Sequence, residues 1–399
     1  MRLIVQKFGG TSVATPEGRA LAAKRVLEAK AEGLAPVVVV SAMGRNGDPY
    51  ATDTLINMAK HVEANIDARE QDLLTSCGEI ISTVVLVQTF RAQGHKAVAL
   101  TGGQAGIITD DKFGSAQIIE IDPRRILYYA QEGYIVVVAG FQGMTNDGMI
   151  TTLGRGGSDT TATALGVALK ADMVEIYTDV DGVMTVDPRL IPEAQILDNL
   201  TYQEVCEMAH QGAKVIHPRA VEIAMSEQIP IKIKNTFSSA PGTLIAEGCT
   251  ERIITGLAHL SNLAQIGVVT PDEASRREAE VKIFKILAEN GISIDLINVM
   301  PEAIYFTVGK EQAAKATDLL ATAGFKSRVN TECAKLSVIG AGMQGVAGVM
   351  ADIVETLYTA GVTILQTSDS DITISFLVRE EQLNDAVKIL HDKFALNNF

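Results

Sequence analysis

Roughly the first 240 residues alternate short β-branched runs with longer amphipathic segments. Many of the short runs are apolar on both sides of the strand alternation, which is typical of strands covered on both faces. Helices are predicted between them, over about Pro16–Glu32 and Arg69–Ala92, and others begin near Ser158 and Thr201. This alternation predicts a mostly parallel sheet with helices on both faces. The predicted strands are Leu3–Phe8, Val37–Ser41, Ala97–Thr101, Ile135–Phe141, Val174–Thr178 and Ile229–Phe237.

The pattern changes at Ser238–Gly248, where serine, proline and glycine residues mark a loop or linker. Beyond it the chain matches itself at an offset of 70 residues, and duplication explains the match better than chance. Each copy reads strand, helix, strand, strand, helix and a final strand, which predicts two ferredoxin-like α+β modules. The matching positions are Ala264 with Ala334, Ile266 with Leu336, Val268 with Val338, Ile283 with Ile353, Leu287 with Leu357, Gly291–Ile294 with Gly361–Ile364, Ile304 with Ile374, Phe306 with Phe376, Val308 with Val378, and Glu311-Gln312 with Glu381-Gln382.

The chain is acidic, because 34 Lys and Arg against 48 Asp and Glu give a net charge of −14. Nucleic acids and anionic membranes need a basic surface, so neither is expected as the main partner, although a local patch could hold a small anion. At roughly 150 residues per domain, the length of 399 residues predicts two to three domains.

The cysteines do not form a CxxC pair, and isolated thiols are typical of a reducing cytosol. The N-terminal sequence MRLIVQKFGG lacks the apolar stretch of a signal peptide, and no apolar run approaches the roughly 20 residues of a membrane span. These features predict a cytoplasmic protein. The six histidines show no metal-ligand spacing, so no dedicated metal site is predicted.

Glycines and hydroxyl residues follow a lysine at the end of the first predicted strand, in the sequence Lys7-Phe8-Gly9-Gly10-Thr11-Ser12. Glycine lets backbone N–H groups approach an anion closely, and a lysine supplies a point charge for phosphate. The sequence GxxxxGK[ST] of a Walker A loop does not occur in the chain. The segment indicates phosphate binding, but a strand end with a tight turn and a solvated lysine explains the same residues equally well.

A second glycine-rich segment, Gly154-Arg155-Gly156-Gly157-Ser158-Asp159-Thr160-Thr161, precedes a predicted helix. The pattern predicts Ser158 as the N-cap and Asp159 in the first turn, where a carboxylate suits the helix dipole. Bare N–H groups at a helix start form an anion site. Capping alone explains Ser158 and Asp159, but it does not explain an arginine between glycines, so Arg155 favours a functional role.

Acidic residues follow another predicted strand, in Thr178-Asp179-Val180-Asp181-Gly182 and then Asp187-Pro188-Arg189. The carboxyl ends of strands are where open α/β sheets bind ligands, so these residues could hold Mg²⁺ or a ribose. The dipeptides DG and DP are also ordinary turn formers. Lys214 and His217-Pro218-Arg219 add positive charge near the end of the next helix, where cations also simply stabilise a helix terminus.

A polar segment, Ser41–Arg45, follows the very apolar run Val37–Val40, and Thr52 lies shortly beyond it. Glu79 lies within the apolar segment Leu73–Val87, where an unpaired carboxylate is costly. Glu79 could bind the ammonium group of a substrate or lie on the solvent face of its helix, and the pattern leaves both open.

The segment Gly340–Gly345 fits the dinucleotide-binding pattern GxGxxG. Too few residues follow it for a dinucleotide-binding domain, and it falls in the first strand–helix turn of the second repeat. It is either a ligand-binding turn of a small regulatory module or a plain tight turn.

Taken together, KFGGTS, GRGGSDTTA, TDVDGVMTVDPR and the duplicated C-terminal module resemble the aspartate kinase (aspartokinase) family over essentially the whole chain. The resemblance implies an α/β fold: a three-layer αβα sandwich, the amino-acid-kinase fold, followed by two α+β ferredoxin-like ACT domains. It implies a catalytic domain over 1–245, a first ACT domain over 264–330, and a second ACT domain built from 253–263 and 331–399. The segment SAMGRNGDPYATD is most similar to the diaminopimelate-sensitive aspartokinases of Gram-positive bacteria.

The implied reaction transfers the γ-phosphoryl group of ATP to the β-carboxylate of L-aspartate, giving 4-phospho-L-aspartate and ADP. In the family this is the first step toward lysine, diaminopimelate, threonine and methionine. Phosphoryl transfer is mostly positioning and charge neutralisation, and a carboxylate nucleophile needs no general base. Mg²⁺ is expected to arrive on the ATP phosphates, near Asp159.

The resemblance also implies roles for residues. Lys7 and Asp159 would be catalytic, Lys7 by neutralising the transferred phosphoryl group and Asp159 by orienting Lys7 and the metal–phosphate network. Arg155 would pair with a carboxylate of aspartate, because a guanidinium fork matches carboxylate geometry. The aspartate pocket would contain Ser41, Thr52, Glu79, Arg155, Gly156, Gly157 and Ser158. The ATP site would contain Lys7, Phe8, Gly9, Gly10, Thr178, Asp179, Asp187, Arg189 and Lys214.

The ACT pair is expected to bind an amino-acid effector, lysine, threonine or diaminopimelate, through Asn298, Met343, Gln344 and Gln366. Such family sites lie at ACT–ACT interfaces, usually between chains, so a homodimer or a dimer of dimers is expected. Glutamate kinase and uridylate kinase are rivals within the fold, and a catalytically inactive amino-acid sensor is the rival from another class. Intact Lys7, Arg155 and Asp159 argue against the sensor.

Overall fold

The computed structural model describes residues 1–213, 215–248, 252–269, 273–343 and 345–398, and of residues 273–276 and 278 it describes the backbone alone. The chain divides into two compact units. The first comprises Met1–Val183, Ile196–Ala209 and the described part of 214–250. The second comprises Met184–Gln195, His210–Ala213 and the described part of 251–399.

The first unit alternates strands and helices along most of its length. Its strands are β1 (Arg2–Phe8), β2 (Leu34–Val40), β3 (Ala97–Leu100), β4 (Ile107–Thr109), β5 (Ile118–Ile121), β6 (Ile135–Ala139), β7 (Gln142–Met144), β8 (Ile150–Thr152), β9 (Met173–Thr178), β10 (Asn199–Leu200), β11 (Ile231–Asn235) and β12 (Thr243–Ile245). Its helices are α1 (Gly10–Val13), α2 (Pro16–Ala31), α3 (Thr52–Lys60), α4 (Ala68–Ala92), α5 (Arg124–Gln131), α6 (Gly157–Leu169), α7 (Tyr202–His210) and α8 (Pro218–Ser226).

An eight-stranded sheet in the order β10-β12-β11-β9-β1-β2-β6-β3 forms the centre of this unit. Its neighbouring strands are parallel except for the antiparallel pair β11–β12. The predicted strands and helices all occur, with ends shifted by no more than three residues. A second sheet in the order β5-β4-β7-β8 was not predicted, because strands of three or four residues are too short to show an alternation.

Helices cover both faces of the central sheet. Phe8 on β1 packs in a cluster with Ala22 of α2 and Leu86 of α4. The neighbouring residue Lys7 points to the opposite face, where it contacts Asp159 of α6. The predicted three-layer arrangement of a mostly parallel sheet between helices follows from this alternation.

Helix α4 is long and apolar enough, by length and composition, to cross a membrane, although no long apolar run was noted in the sequence. Half of its most apolar stretch is buried inside the protein, and the helix also buries Asp72 and Glu79. One such helix in the described residues is weak evidence for a membrane span, because the core helix of a soluble protein has the same character.

The second unit is built around a six-stranded antiparallel sheet in the order β14-β15-β13-β16-β18-β17. Its elements are β13 (Gly256–Val269), α9 (Glu273–Glu289), β14 (Asp295–Val299), β15 (Ala303–Gly309), α10 (Lys310–Thr322), β16 (Ser327–Ile339), α11 (Val349–Thr359), β17 (Ile364–Asp369), β18 (Thr373–Arg379) and α12 (Leu383–Lys393). The two longest strands, β13 and β16, pair along most of their lengths. Gly256–Leu260 pairs with Lys335–Ile339, so the residues that precede the first repeat complete the sheet of the second.

The residues matched by the 70-residue repeat occupy equivalent places in two separate hydrophobic clusters. The first cluster contains Ala264, Ile266, Val268, Ile283, Leu287, Ile304, Phe306 and Val308. The second contains Ala334, Leu336, Val338, Ile353, Leu357, Ile374, Phe376 and Val378, and it also buries Val186, Ile191 and Ala194. Each repeat therefore has its own core, as expected of a duplicated module.

Close packing explains two glycines, Gly340 and Gly342, of the first strand–helix turn in the second repeat. A Cβ on Gly340 would lie 2.1 Å from the carbonyl oxygen of Ile253, and one on Gly342 would lie 2.5 Å from that of Arg252. The chain entering β13 crosses directly over this turn, so glycine is required there without any ligand. Of the two interpretations left open by the sequence, the tight turn accounts for these glycines.

We predict that Phe306→Ala and Phe376→Ala each destabilise the second unit by about 3–5 kcal/mol, because both rings are fully buried in equivalent cores. Urea unfolding of each variant measures the loss. Tyr358→Ala is the control, since Tyr358 is 82% exposed, and its effect should be within about 0.5 kcal/mol. A loss below about 1 kcal/mol for either phenylalanine would contradict the two-core description.

Candidate active site

The carboxyl ends of four neighbouring strands of the central sheet are aligned. The strand register pairs Phe8 at the end of β1 with Val40 on β2 and with Tyr177 on β9, and it pairs Val40 with Ala139 on β6. The next residues along these strands, Gly9, Ser41, Gly140 and Thr178, therefore meet at one edge. The strand order reverses at β1, which is flanked by β2 and β9, so this edge is the crevice where open α/β sheets bind ligands.

Lys7 and Asp159 form an ion pair at this edge, with Nζ 2.7 Å from Oδ1. The two side chains are only 11% and 14% exposed. The alternative of a solvated lysine is wrong, because Lys7 points inward to the first turn of α6. A nearly buried ammonium held by a single carboxylate can turn toward a second anion, as a phosphate-binding lysine must.

The turn after β1 leaves little space beside its glycines. A Cβ on Gly10 would lie 2.6 Å from the carbonyl oxygen of Ala42 and 2.7 Å from that of Gly44, so the loop after β2 packs against it. The N–H of Gly9 donates to the carbonyl oxygen of Tyr177 at 3.2 Å, which commits this donor to the sheet. Gly10, at the start of α1, is the better candidate for a ligand donor.

The Phe8 side chain does not face the edge. It is fully buried and stacks on Tyr177 at 4.7 Å between ring centroids, while its carbonyl oxygen accepts from the N–H of Ser41. Phe8, which was predicted for the ATP site, therefore presents only its backbone at this edge, and its ring packs β1 against β9.

Glu79 is buried on α4, so the alternative that placed it on the solvent face is wrong. Its Oε1 accepts a hydrogen bond from the N–H of Ala42 at 3.0 Å, and its Oε2 has no hydrogen-bond partner among the described residues. Burial raises the pKa of Glu79 to about 8, and the Ala42 hydrogen bond opposes this shift. A buried carboxylate with an unsatisfied oxygen is poised to accept a cation.

The segment Gly154–Asp159 forms a loop and the start of α6. Gly154 and Gly156 have φ of 75° and 70°, a region that favours glycine, and a Cβ on Gly156 would overlap the ring of His217. The predicted N-cap at Ser158 is wrong: α6 begins at Gly157, its N-cap is Gly156, and Ser158 is buried inside the first turn. The helix starts early because the N–H of Gly157 closes a turn onto the carbonyl oxygen of Gly154.

Arg155 is the exposed residue of this loop and makes no ion pair within the described part of the chain. Its neighbours Gly156 and Gly157 are pressed against His217 and Phe141, which leaves the guanidinium as the group presented outward. An unpaired guanidinium beside a helix N-terminus offers two aligned donors to a carboxylate.

The loop after β9 is held by its own polar groups and by the loop after β2. Thr178 donates to Asp179 at 3.2 Å, and Arg45 contacts Asp179 at 2.5 Å. Asp181 accepts from Asn235 at 2.8 Å and from Ser238 at 2.5 Å. The sequence alone did not indicate that Arg45 reaches Asp179, because the two residues lie far apart along the chain.

The other predicted ATP residues are distributed differently. Asp187 and Arg189 lie in Met184–Gln195, which belongs to the second unit, where they form a two-pronged ion pair. The Arg189 guanidinium holds the pKa of Asp187 below its ordinary value. Lys214 lies outside the described residues. Thr52, predicted in the aspartate pocket, begins α3, which packs on α4, the helix of Glu79.

Two of the four predicted effector contacts meet in one cavity of about 550 Å³ in the second unit, between β14 and β17. Gln366 donates to Asn298 at 2.5 Å and to the carbonyl oxygen of Leu296, and it accepts from Gln265 at 2.9 Å. Met343 is not in the lining, because it is buried in the second hydrophobic cluster. Gln344 lies outside the described residues.

Sequence reasoning missed Asp72 altogether and noted Arg219 only as positive charge near a helix end. Asp72 accepts from the N–H of Thr152 at 2.8 Å, and Arg219 donates to the carbonyl oxygen of Leu153 at 3.2 Å. The signal that drew attention to Glu79, a carboxylate within an apolar segment, was weaker for Asp72, which directly follows the polar residues 69–71. Among the described residues, no group of three or more His, Cys, Asp and Glu side chains is placed to hold a metal.

Comparison with known proteins gives consistent matches along the chain. Residues 2–235 match the Amino acid kinase family, and residues 328–392 match the ACT domain. Aspartokinase 1 of Bacillus subtilis is 47% identical over 405 residues, covering all of both chains. An aspartokinase of Thermus thermophilus is 39% identical over 411 residues, again covering all of both chains.

Solved structures agree with this. Escherichia coli aspartokinase III in complex with aspartate and ADP, in the R-state, is 27% identical with a TM-score of 0.80, and the match covers 98% of this chain and 99% of that one. The same enzyme with lysine and aspartate, in the T-state, also has a TM-score of 0.80. The predicted fold class, an amino-acid-kinase domain followed by ACT-type α+β structure, is confirmed. The chain belongs to the aspartokinase family.

Proposed function

We propose that this chain transfers the γ-phosphoryl group of ATP to the β-carboxylate of L-aspartate. The observation that carries the proposal is the nearly buried Lys7–Asp159 ion pair at the strand-order reversal, between a glycine turn and the start of α6. A nearly buried ammonium group at this position suits the binding of a phosphoryl group. The aspartokinase relatives support aspartate as the acceptor. The E. coli enzyme has been solved with aspartate and ADP.

The residues at the edge suit the nucleotide phosphates. Gly10 begins α1 and packs closely against the loop after β2, and we assign its backbone N–H to the phosphates. Lys7 supplies the positive charge, and Thr178 and Asp179 lie at the neighbouring strand end. We assign Asp187, Arg189 and Lys214 to the nucleotide as well, on the family motif alone.

Mg²⁺ is proposed to accompany ATP. Asp159 is the carboxylate paired with Lys7 in the described chain, and Mg²⁺ usually combines one or two carboxylates with substrate phosphates rather than occupying an all-protein cage. Bound there, the ion would neutralise charge on the phosphate oxygens. Asp159 would hold it while keeping Lys7 directed toward the phosphates.

Aspartate is proposed to lie between Glu79 and Arg155. The unsatisfied Oε2 of Glu79 matches the α-ammonium group, and the unpaired guanidinium of Arg155 matches the α-carboxylate. Ser41 and Thr52, with the helix start Gly156–Ser158, complete the proposed pocket. This leaves the β-carboxylate directed toward Lys7.

The reaction then needs no proton transfer at the nucleophile. An oxygen of the ionised β-carboxylate forms a bond to the γ-phosphorus, the bond from that phosphorus to the β–γ bridging oxygen breaks, and ADP leaves with the bonding pair. Lys7 offsets the negative charge that accumulates on the equatorial oxygens.

The second unit is proposed to be regulatory, with an amino-acid effector in the cavity lined by Asn298 and Gln366. E. coli aspartokinase III has been solved with lysine. We further propose ACT domains over 264–330 and over 253–263 with 331–399 behind a catalytic domain over 1–245. A homodimer or dimer of dimers in the cytoplasm, regulated by lysine, threonine or diaminopimelate, completes the proposal.

Trapping of the acyl phosphate with hydroxylamine tests the function. With Mg²⁺ and ATP, L-aspartate should yield hydroxamate and L-glutamate should not. Repeating the assay with lysine, threonine and meso-diaminopimelate identifies the effector as the compound that suppresses it. A folded, ATP-binding protein that forms no aspartyl hydroxamate would contradict the proposal.

We predict that Lys7→Ala lowers kcat by at least about 100-fold, because one preorganised charge on the transferred group is lost. Lys112→Ala is the matched control, since Lys112 is a 68% exposed lysine of the same unit, and its kcat should be unchanged. Steady-state kinetics with circular dichroism to verify folding gives the comparison. Near-normal kcat in Lys7→Ala would remove Lys7 from the chemistry.

We predict that Arg155→Ala raises the KM for aspartate about 10- to 100-fold and leaves the KM for ATP within about twofold, because a charge-assisted hydrogen bond is worth about 1.5–3 kcal/mol. Arg155→Lys should lie between, since it keeps the charge and loses the fork. Arg124→Ala, at an 87% exposed arginine, is the control. If only the KM for ATP rose, Arg155 would belong to the nucleotide site instead.

We predict that the KM for aspartate falls as the pH rises from about 6 to about 8.5. The pKa of Glu79 is raised to about 8 by burial, so the free enzyme carries it neutral at lower pH, whereas an ammonium binds its ionised form. The expected slope is about tenfold per pH unit below that pKa. Glu79→Gln should raise the KM and abolish the slope, and the exposed Glu63→Gln should keep it. A slope that survives in Glu79→Gln would assign the titration to another group.

A further inference from the structure

Asp72 is a buried carboxylate that accepts hydrogen bonds from a neighbouring loop and strand instead of pairing with a cation. It is 1% exposed and lies two helical turns before Glu79, on the same face of α4. Its Oδ2 accepts from the N–H groups of Gly114 and Thr152 at 2.9 and 2.8 Å, and its Oδ1 accepts from the Thr152 hydroxyl at 2.6 Å. No ion pair satisfies it within the described residues, so its negative charge rests on these three donors.

Arg219 is the corresponding cation on the other side of the same backbone. It is half-buried in the first turn of α8 and donates to the carbonyl oxygens of Leu153 and Ala116, both at 3.2 Å. The structure shows no carboxylate paired with it in the described chain. The guanidinium fork therefore serves two backbone carbonyls, which is an unusual use for a charged group at this depth.

Asp72 and Arg219 hold the same two backbone segments from opposite sides, and we call this pair of residues the bracket. Residues 114–116 and 152–153 are joined by the hydrogen bond from the N–H of Ala116 to the carbonyl oxygen of Thr152 at 2.9 Å. Asp72 accepts hydrogen bonds from N–H groups of both segments, and Arg219 donates hydrogen bonds to carbonyl oxygens of both. An anion on the N–H side and a cation on the carbonyl side fix the position of this backbone.

Arg155 follows the bracketed backbone directly. Between Leu153 and Arg155 there is only Gly154, whose φ of 75° turns the chain, and Gly156 continues the turn against His217. The N–H of Arg219 donates to the ring of that same histidine at 3.3 Å. The N-terminal turn of α8 thus supports the loop both before and after Arg155.

We propose that Asp72 and Arg219 are positioning residues that aim Arg155 at the substrate carboxylate and thereby set the KM for aspartate. The inference rests on the proposed function, because it takes Arg155 as the carboxylate-binding group. Glycine on both sides gives Arg155 no restraint of its own, so the direction of its side chain depends on where residue 153 is held. A displacement of about 1 Å at a substrate-binding group is enough to cost a large factor in activity.

Asp72→Asn tests the anion with almost no change of shape. The amide keeps one acceptor oxygen and turns an –NH₂ group toward backbone N–H donors, so the bracket is broken on that side. The expected result is a KM for aspartate raised at least about tenfold, with kcat and the KM for ATP within about threefold. Asp198→Asn, at an exposed aspartate of the same unit, is the control and should match the parent.

Arg219→Ala should act in the same direction, and Arg219→Lys should restore part of the loss, because a lysine can still donate to one carbonyl. Arg219 is half-buried, so this pair of variants carries the test if Asp72→Asn fails to fold. An unchanged KM for aspartate in Arg219→Ala would overturn the inference.

The decisive comparison is made in the Arg155→Ala background. If the bracket acts through Arg155, Asp72→Asn and Arg219→Ala should raise the KM for aspartate less than twofold once Arg155 is gone. A rise as large as that in the parent would mean a general structural role and would overturn the inference. If Arg155→Ala itself leaves the KM for aspartate unchanged, the proposed role of Arg155 has failed instead, and the two failures are thereby distinguished.

Discussion

The Lys7–Asp159 ion pair is the interaction on which the arrangement of the site depends. An ammonium that is nearly buried at the end of a strand would be costly without a partner, and the first turn of α6 supplies one at 2.7 Å. Because β1 is central in the sheet and α6 packs on one of its faces, this pair fixes the strand end to the helix start. The glycine turn, the loop after β2 and the loop before α6 are all placed relative to it.

Around this pair the first unit leaves two charged groups incompletely satisfied, one buried on α4 and one exposed in the loop before α6. Glu79 has a free oxygen within the described residues, and Arg155 has no carboxylate partner there. Such groups reduce stability and are retained where a ligand completes them. The ammonium group and the α-carboxylate of aspartate complement these two charges.

The central sheet was predictable from the sequence, because strands covered on both faces give continuous apolar runs such as Val37–Val40. The second sheet was not, because strands like Ile107–Thr109 are held by tertiary pairing rather than by their own pattern. The predicted N-cap of α6 was wrong because capping preferences favour Ser158 over glycine. The helix instead begins after Gly156, which has a left-handed conformation. Gly340 and Gly342 are required by close packing against a distant backbone segment, and such packing cannot be recognised from the local sequence.

The candidate residues Lys7 and Asp159 could be named from the sequence because each belongs to a local motif, whereas contacts that join distant segments were hidden. Asp72 meets Thr152 across 80 positions, which no local pattern encodes. The most direct test is a crystal structure with L-aspartate, Mg²⁺ and a non-hydrolysable ATP analogue. The account predicts Lys7 Nζ on a γ-phosphate oxygen, the α-ammonium on Glu79 Oε2 and the α-carboxylate on Arg155. Aspartate bound with its ammonium away from Glu79, or a γ-phosphate out of reach of Lys7, would contradict it.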